Sequence, residues 1–328
     1  MNNNEKLIEV KGLKKNFKVK NGLLHAVDDL SFFINKGETL GLVGESGCGK
    51  STTGRTIIRL IEADGGEVLF HNKNVLGFNK NEMKNFRQNV QMVFQDPYSS
   101  LNPRLSIFDL ISEPLMNIEE YKRDKKKVDA RVKELMDIVG ISRRLENSYP
   151  HELDGGRRQR VGVARALSVQ PEFMVLDEPV SSLDVCIQAQ VINLLKRLQK
   201  EFNLTYLFIS HDLSVVKHIS NRIAVMYLGK MVELSDHNAI FKDPLHPYTQ
   251  ALLSAIPIPK ANVERSRIIL KGDVPSPVNP PEGCRFAGRC IYVKDICLKD
   301  TPELREVSDN RYAACHLVSR EKVNSAIC

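Results

Sequence analysis

The densest chemistry in the chain lies at Gly44-Glu45-Ser46-Gly47-Cys48-Gly49-Lys50-Ser51, which fits the spacing G-x-x-x-x-G-K-[ST]. Glycines so spaced let the backbone curl until successive N–H groups point inward, a concavity suited to phosphate oxygens. A helix opening at Lys50 adds its dipole to that attraction. Lys50 is then placed to reach β- and γ-phosphates and Ser51 to ligate Mg²⁺, with Thr52 completing the nucleotide-contact set. By itself the motif says NTPase; the bland alternative is a glycine-rich turn, and Cys48 reads as loop filler before it reads as a reactive thiol. A second pattern is the apolar run Phe173-Met174-Val175-Leu176 ending in Asp177-Glu178. There Asp177 can hold the Mg²⁺ shell and Glu178 can orient and deprotonate an attacking water. Third, Cys284, Cys290, Cys297 and Cys315 are spaced C-x5-C-x6-C-x17-C. Four thiolates suit Zn²⁺ or a [4Fe–4S] cluster, and the paired C-x2-C knuckles usual for zinc are absent; free buried thiols are the third reading.

These residues need positioning elements. Leu7–Lys11 and 40–43 read as short strands, the second running into the glycine turn and then a helix from Lys50 to Ile61. Gly65–Phe70 reads as a turn entering a strand, and Val90 to Phe94 as a compact apolar strand. From about Ser106 to Gln170 the period is helical, clearest over Asp129 to Val139, so an inserted helical subdomain is expected at about 97–170. Strands return at Phe173 to Leu176 and Thr205 to Ile209, with a helix near Ile187 to Lys200 between them, and a last pair flanks Gly229. Short buried strands alternating with helices predict an α/β fold with a largely parallel sheet. After about Asp243 prolines cluster (Pro257, Pro259, Pro275, Pro277, Pro280, Pro281), marking an extended path to the cysteines. The expected domains are 1–243 and a C-terminal extension, 244–328.

Bulk properties set the remaining bounds. With 328 residues, 42% hydrophobic and 27% charged, the chain can bury a large core. The net charge of +7 is spread over 47 basic and 40 acidic residues, and the run Lys122-Arg123-Asp124-Lys125-Lys126-Lys127 reads as a solvated helix face rather than a binding patch. No basic segment followed by an apolar stretch marks an export signal, and no apolar run is long enough to span a bilayer. The expectation is a protein that is soluble or held at a membrane by partners. In a reducing compartment the seven cysteines, Cys186 and Cys328 included, are poor disulfide candidates.

In order, the phosphate loop, Gln95 in Val-Phe-Gln-Asp-Pro, Leu153-Asp154-Gly155-Gly156-Arg157-Arg158-Gln159-Arg160, Asp177-Glu178, Ser181-Ser182-Leu183-Asp184 and Ser210-His211-Asp212 follow one another. This series, over most of residues 6–235, resembles the ABC transporter ATPases. The resemblance implies a P-loop NTPase core with a RecA-like sheet, an antiparallel β part and an inserted helical subdomain, acting as an Mg-ATP hydrolase. It implies that Gln95 contacts Mg²⁺ and couples to a membrane subunit, that Asp184 lies in the D-loop at a dimer interface, and that His211 bonds the γ-phosphate. Phe17 matches the aromatic that stacks on adenine, with a core role as the alternative. The family's signature is Leu-Ser-Gly-Gly-Gln; here Asp154 replaces the serine and Arg157 the glutamine. A carboxylate cannot donate to a γ-phosphate, and like charges about 4 Å apart repel by on the order of 4 kcal/mol at an effective dielectric of 20. Arg157 offsets part of this, or Asp154 simply caps its helix.

His246-Pro247-Tyr248-Thr249, Gly283-Cys284-Arg285-Phe286, Gly288-Arg289-Cys290 and Ala314-Cys315-His316-Leu317 resemble the extension of oligopeptide and dipeptide importer ATPases. That likeness implies a [4Fe–4S] cluster on the four cysteines, a second and different ATPase subunit, two transmembrane permease subunits and, indirectly, an extracellular solute-binding protein. It places the chain peripherally at the cytoplasmic face of the membrane and implies no nucleic-acid partner. Nickel or another small solute is the alternative cargo. An ABC ATPase acting on DNA or ribosomes usually carries a long coiled coil or tandem cores, and neither is seen. A regulatory subunit that hydrolyses nothing is opposed by Glu178 and His211 but kept open by the altered signature.

Overall fold

The computed structural model describes residues 5–96, 100–256, 267–270 and 272–319. Pro257, Pro259, Cys328 and the first residues of the expected 97–170 insertion lie outside the described residues. In chain order the strands are β1 (Lys6–Val19), β2 (Gly22–Asn35), β3 (Thr39–Val43), β4 (Gly65–Phe70), β5 (Lys73–Asn74), β6 (Val90–Val93), β7 (Phe173–Asp177), β8 (Thr205–Ser210), β9 (Arg222–Tyr227), β10 (Lys230–Asp236), β11 (Arg305–Ser308) and β12 (Arg311–Ala313). The helices are α1 (Lys50–Ile57), α2 (Lys80–Asn89), α3 (Ile107–Ser112), α4 (Glu119–Lys122), α5 (Lys125–Val139), α6 (Gly155–Leu167), α7 (Val185–Phe202), α8 (Leu213–Ile219), α9 (His237–Lys242), α10 (Pro247–Ser254) and α11 (Asp295–Lys299). The chain divides into two compact units.

One unit comprises Gly77–Ile209, Ile34–Glu38 and the residues up to Leu7. Its strands β6, β7 and β8 pair in parallel, with Val90 opposite Phe173 and Phe173 opposite Thr205. Every residue of β7 and β8 is buried, as continuous apolar strands covered on both faces require. The insertion is built on helix packing. In α5, Val128, Val132, Leu135, Met136 and Val139 recur at helical spacing and form its buried stripe. Asp124 caps that helix, and Gly140 ends it in the left-handed region (φ 72°). Around it the basic run is a solvated face: Lys122 pairs with Glu119 and Lys127 with Glu120.

The other unit comprises Ile8–Phe33, Thr39–Leu76 and the chain from Ser210 onward. An antiparallel sheet in the order β2-β1-β4-β5 forms one layer. A second run of strands follows the order β11-β12-β10-β9-β3, in which only β3 and β9 are parallel. This run is parallel at β3 and β9 and antiparallel beyond β9, the antiparallel β part expected beside parallel strands. The C-terminal segment supplies β11 and β12, with Glu233 opposite Ala313 and Leu234 opposite Tyr312. The helix expected to reach Ile61 stops at Ile57, because Arg59 turns left-handed (φ 52°). No helix among the described residues is long and apolar enough to cross a membrane.

Candidate nucleotide-binding site

Buried β3 delivers the phosphate loop in the second unit. Gly44 (φ 155°) and Gly49 (φ 105°) hold left-handed conformations where a Cβ would stand 2.2 Å from the Met226 carbonyl oxygen and 2.0 Å from that of Ala26. No other residue type fits either position without moving backbone. Gly49 occupies the N-cap of α1, and no side chain caps that helix, so its first-turn amides are not claimed by a capping oxygen. Lys50 is 4% exposed and folds back on its own loop, its Nζ donating to the carbonyls of Gly44 and Glu45 at 2.9 Å each. Cys48 is buried, and burial raises its thiol pKa, which fits a filler rather than a nucleophile. Ser46 is exposed, while Ser51 and Thr52 are half-buried in the first turn of α1. His211 is an exposed residue at the end of β8, in a turn fixed by the Asp212 amide donating to Ser210 Oγ at 3.0 Å. Phe17 lies on β1 at 37% exposure, outside the core, with the Lys15 ammonium 5.4 Å from its ring centre.

The first unit brings together two residues 83 positions apart: Gln95 Nε2 donates to Glu178 Oε2 at 3.0 Å. Asp177 is fully buried at the end of β7. Glu178 is left-handed (φ 46°), a conformation that costs a non-glycine residue on the order of 1–3 kcal/mol. Its amide donates to the Ile209 carbonyl at 3.0 Å and its carbonyl accepts from Ser181 Oγ at 3.1 Å, which over-determines the strained turn. Nearby, Leu153 is buried and Asp154 caps α6, accepting from the Arg157 amide at 2.7 Å, with Arg157 Nε 3.4 Å from its other oxygen. Asp184 caps α7 in the same way, accepting from Ile187 at 3.0 Å. The signature glycines are small because α7 and the residues leading into it lie against them: a Cβ on Gly156 would stand 2.4 Å from Ile187 Cγ2, and one on Gly155 3.0 Å from Leu183 Cδ2.

The four-cysteine group is less organised than its spacing suggests. Burial pushes Cys284 up to about 11 and raises Cys290 and Cys315, and each thiol is raised further by other members of the set. They are therefore neighbours. Yet among the described residues no group of three or more His, Cys, Asp or Glu stands ready to hold a metal ion. The donor chemistry fits a thiolate-ligated group, and the arrangement does not form a ligand set as it stands.

Two residues that the motifs did not assign to the site touch the loop. Tyr248 Oη accepts from the Glu45 amide at 2.9 Å, and Arg289 Nη1 donates to the Glu45 carboxylate at 2.8 and 3.1 Å.

Residues 27–181 match the family described as ABC transporter, and residues 232–297 match the oligopeptide/dipeptide transporter, C-terminal region. The oligopeptide transport ATP-binding protein AppF of Bacillus subtilis (strain 168) is 51% identical over 327 residues, 97% of this chain and 99% of AppF. This chain belongs to the ABC transporter ATP-binding family. OppF of the same organism is 53% identical over 95% of this chain and 96% of its own, and OppF of Escherichia coli (strain K12) is 48% identical over 91% and 92%. Among solved structures, the post-hydrolysis dimer of the ATP-binding cassette MJ0796 bound to ADP and Pi matches with TM-score 0.65 and 27% identity, covering 70% of this chain and 98% of that one. CbiO1 from Clostridium perfringens, part of the CbiONQ transporter complex, matches at TM-score 0.65 and 26% identity, over 73% and 92%. As a member of this family the chain is an ATPase, and the expected P-loop NTPase core is the fold it adopts.

Proposed function

We propose that this ABC ATPase powers import of oligopeptides or dipeptides. The observation that carries the reading is near-full-length identity to proteins named for oligopeptide transport, C-terminal region included. The ATPase domain is residues 1–243, with the helical insertion at about 97–170, and the extension is 244–328. The chain works peripherally at the cytoplasmic face of the membrane, beneath two transmembrane permease subunits served by an extracellular solute-binding protein.

In this reading Gly44 to Thr52 hold the triphosphate, Lys50 draws on the β- and γ-phosphates, and Phe17 stacks on adenine. Ser51, Asp177 and Gln95 hold Mg²⁺, which supplies charge neutralisation at the phosphates. Glu178 orients and deprotonates the attacking water, and His211 donates to the γ-phosphate. The Gln95–Glu178 hydrogen bond supports a base held in place before water arrives.

The signature set of Leu153, Asp154, Gly155, Gly156 and Arg157, with Asp184, faces the nucleotide of a second ATPase subunit. Asp154 as N-cap does for α6 what serine does equally well, so helix stability does not demand an acid there. Its carboxylate makes the composite site it serves the weaker one, and the partner is a different ATPase subunit. Changing Asp154→Ser with Arg157→Gln should raise turnover of the assembled complex several-fold while leaving stability within about 0.5 kcal/mol. Unchanged turnover would remove the unequal-site reading.

On the extension, Cys284, Cys290, Cys297 and Cys315 hold a [4Fe–4S] cluster, with zinc as the alternative, in a structural role. Support comes from the four cysteines standing on one short segment, where the Cys284, Cys290 and Cys315 thiols are raised by burial and by other members of the set. Anaerobically purified protein should show broad visible absorption and iron; a colourless protein carrying zinc selects the alternative.

A further inference from the structure

We propose that Arg289 and Tyr248 are positioning residues for the phosphate loop, through which the C-terminal extension neutralises and holds Glu45 and so sets the affinity for nucleotide. The proposal rests on the reading that this loop binds the triphosphate.

Glu45 is the first residue inside the loop, and an uncompensated carboxylate there opposes an anionic ligand. Arg289 removes that opposition by gripping both carboxylate oxygens, at 2.8 and 3.1 Å. The guanidinium is 10% exposed and the carboxylate 26%, so water and salt screen the pair weakly. Burial opposes the arginine's charge, but hydrogen bonds to Glu45 and Tyr227 and the charge of Glu45 outweigh it and keep it protonated.

The Glu45 peptide is held as well. Its amide donates to Tyr248 Oη at 2.9 Å, and its carbonyl accepts from Lys50 Nζ at 2.9 Å. A shift of this peptide therefore moves the resting position of the phosphate-binding lysine. Tyr248 is itself fully buried on α10 and packs on Tyr227 and Phe286 at 4.7 and 5.4 Å between ring centres. His246 caps its helix, accepting the Tyr248 amide on Nδ1 at 3.0 Å.

Arg285 holds the turn after β9, next to the loop. It donates to the Leu228 carbonyl and to Asp28, and the Gly229 amide next to Leu228 donates to the Cys48 carbonyl at 2.9 Å. Both arginines lie within Cys284-Arg285-Phe286-Ala287-Gly288-Arg289-Cys290. The cysteine-rich segment is thus joined to the phosphate loop directly by the Arg289–Glu45 ion pair, and indirectly through Arg285, whose carbonyl partner Leu228 precedes the Gly229 amide that bonds Cys48.

The test is binding of a non-hydrolysable ATP analogue with Mg²⁺ to the full chain, measured by calorimetry beside thermal melting. Arg289→Met should weaken binding about tenfold, because a half-buried carboxylate in the loop is left without its counter-charge. Adding Glu45→Gln to that variant should restore affinity to within about threefold of wild type, a recovery that a purely structural arginine would not give. Tyr248→Phe, which keeps the ring and removes the acceptor, should weaken binding about threefold. Wild-type affinity in Arg289→Met, or equal loss in Arg289→Met and the double variant, overturns the proposal. If Arg289→Met does not fold, Tyr248→Phe decides: a loss supports the brace, and unchanged affinity overturns it. Failure of the wild-type chain to bind would instead refute the reading of the loop itself.

Discussion

At the residue scale, the groups that do chemistry are held by others whose ionisation is fixed by burial. His246 is 1% exposed, and burial drives its pKa from 6.5 down to about 3, so the folded chain keeps it neutral. Only the neutral ring can accept the Tyr248 amide on Nδ1. In the unfolded chain the same histidine takes a proton near pH 6.5, so its stabilising contribution is whole above that pH. It is lost as pH falls toward 3, at about 1.4 kcal/mol per pH unit. Glu233, which accepts the Leu245 and His246 amides and is pushed upward by burial, acts in the opposite sense over this window. The informative quantity is therefore a difference between proteins. Between about pH 7.5 and pH 5, wild type should lose on the order of 2 kcal/mol more stability than His246→Gln. Matching pH profiles from denaturant melts would contradict a neutral buried imidazole.

At the element scale, the strand–loop–helix unit of β3 and α1 makes graded demands on its glycines. Gly47 (φ 78°) has nothing within 4 Å of an added Cβ, so Gly47→Ala should cost only the left-handed strain of about 1–2 kcal/mol. Gly49→Ala adds a collision with the Ala26 carbonyl and should lower stability further and abolish nucleotide binding. Equal effects in thermal melts would show that the loop relaxes more freely than its packing implies. β3, β7 and β8 were legible because composition and length both say buried strand. β2 was not, although Leu30, Phe32 and Ile34 alternate inward, because Phe33 breaks the pattern by facing outward under the Arg222 guanidinium at 4.4 Å. Strands β11 and β12 are too short to leave a period at all. The charge run and the amphipathic α5 were legible because each is a local helical pattern.

At the scale of the whole molecule, the order of motifs along the chain carried the family, since each motif is local and its context can be read beside it. What the sequence hid are pairings between distant positions. Glu45 and Arg289 are 244 residues apart, and nothing near either one announces the other. The same is true of β10 and β12, whose pairing adds C-terminal strands to the unit that holds the phosphate-loop motif. Cysteine spacing, by contrast, suggested more order than the thiols show, because spacing fixes which residues can meet and not how they are oriented. The central claim remains chemical: ATP is gripped around Lys50 and cleaved with the help of Glu178. Its most direct test is nucleotide retention and turnover of the assembled complex carrying Lys50→Ala or Glu178→Gln. Lys50→Ala should fail to retain Mg-ATP and lose at least about 100-fold in turnover, while Glu178→Gln should retain uncleaved ATP. A Lys50→Ala complex that held Mg-ATP and turned over like wild type would contradict the account.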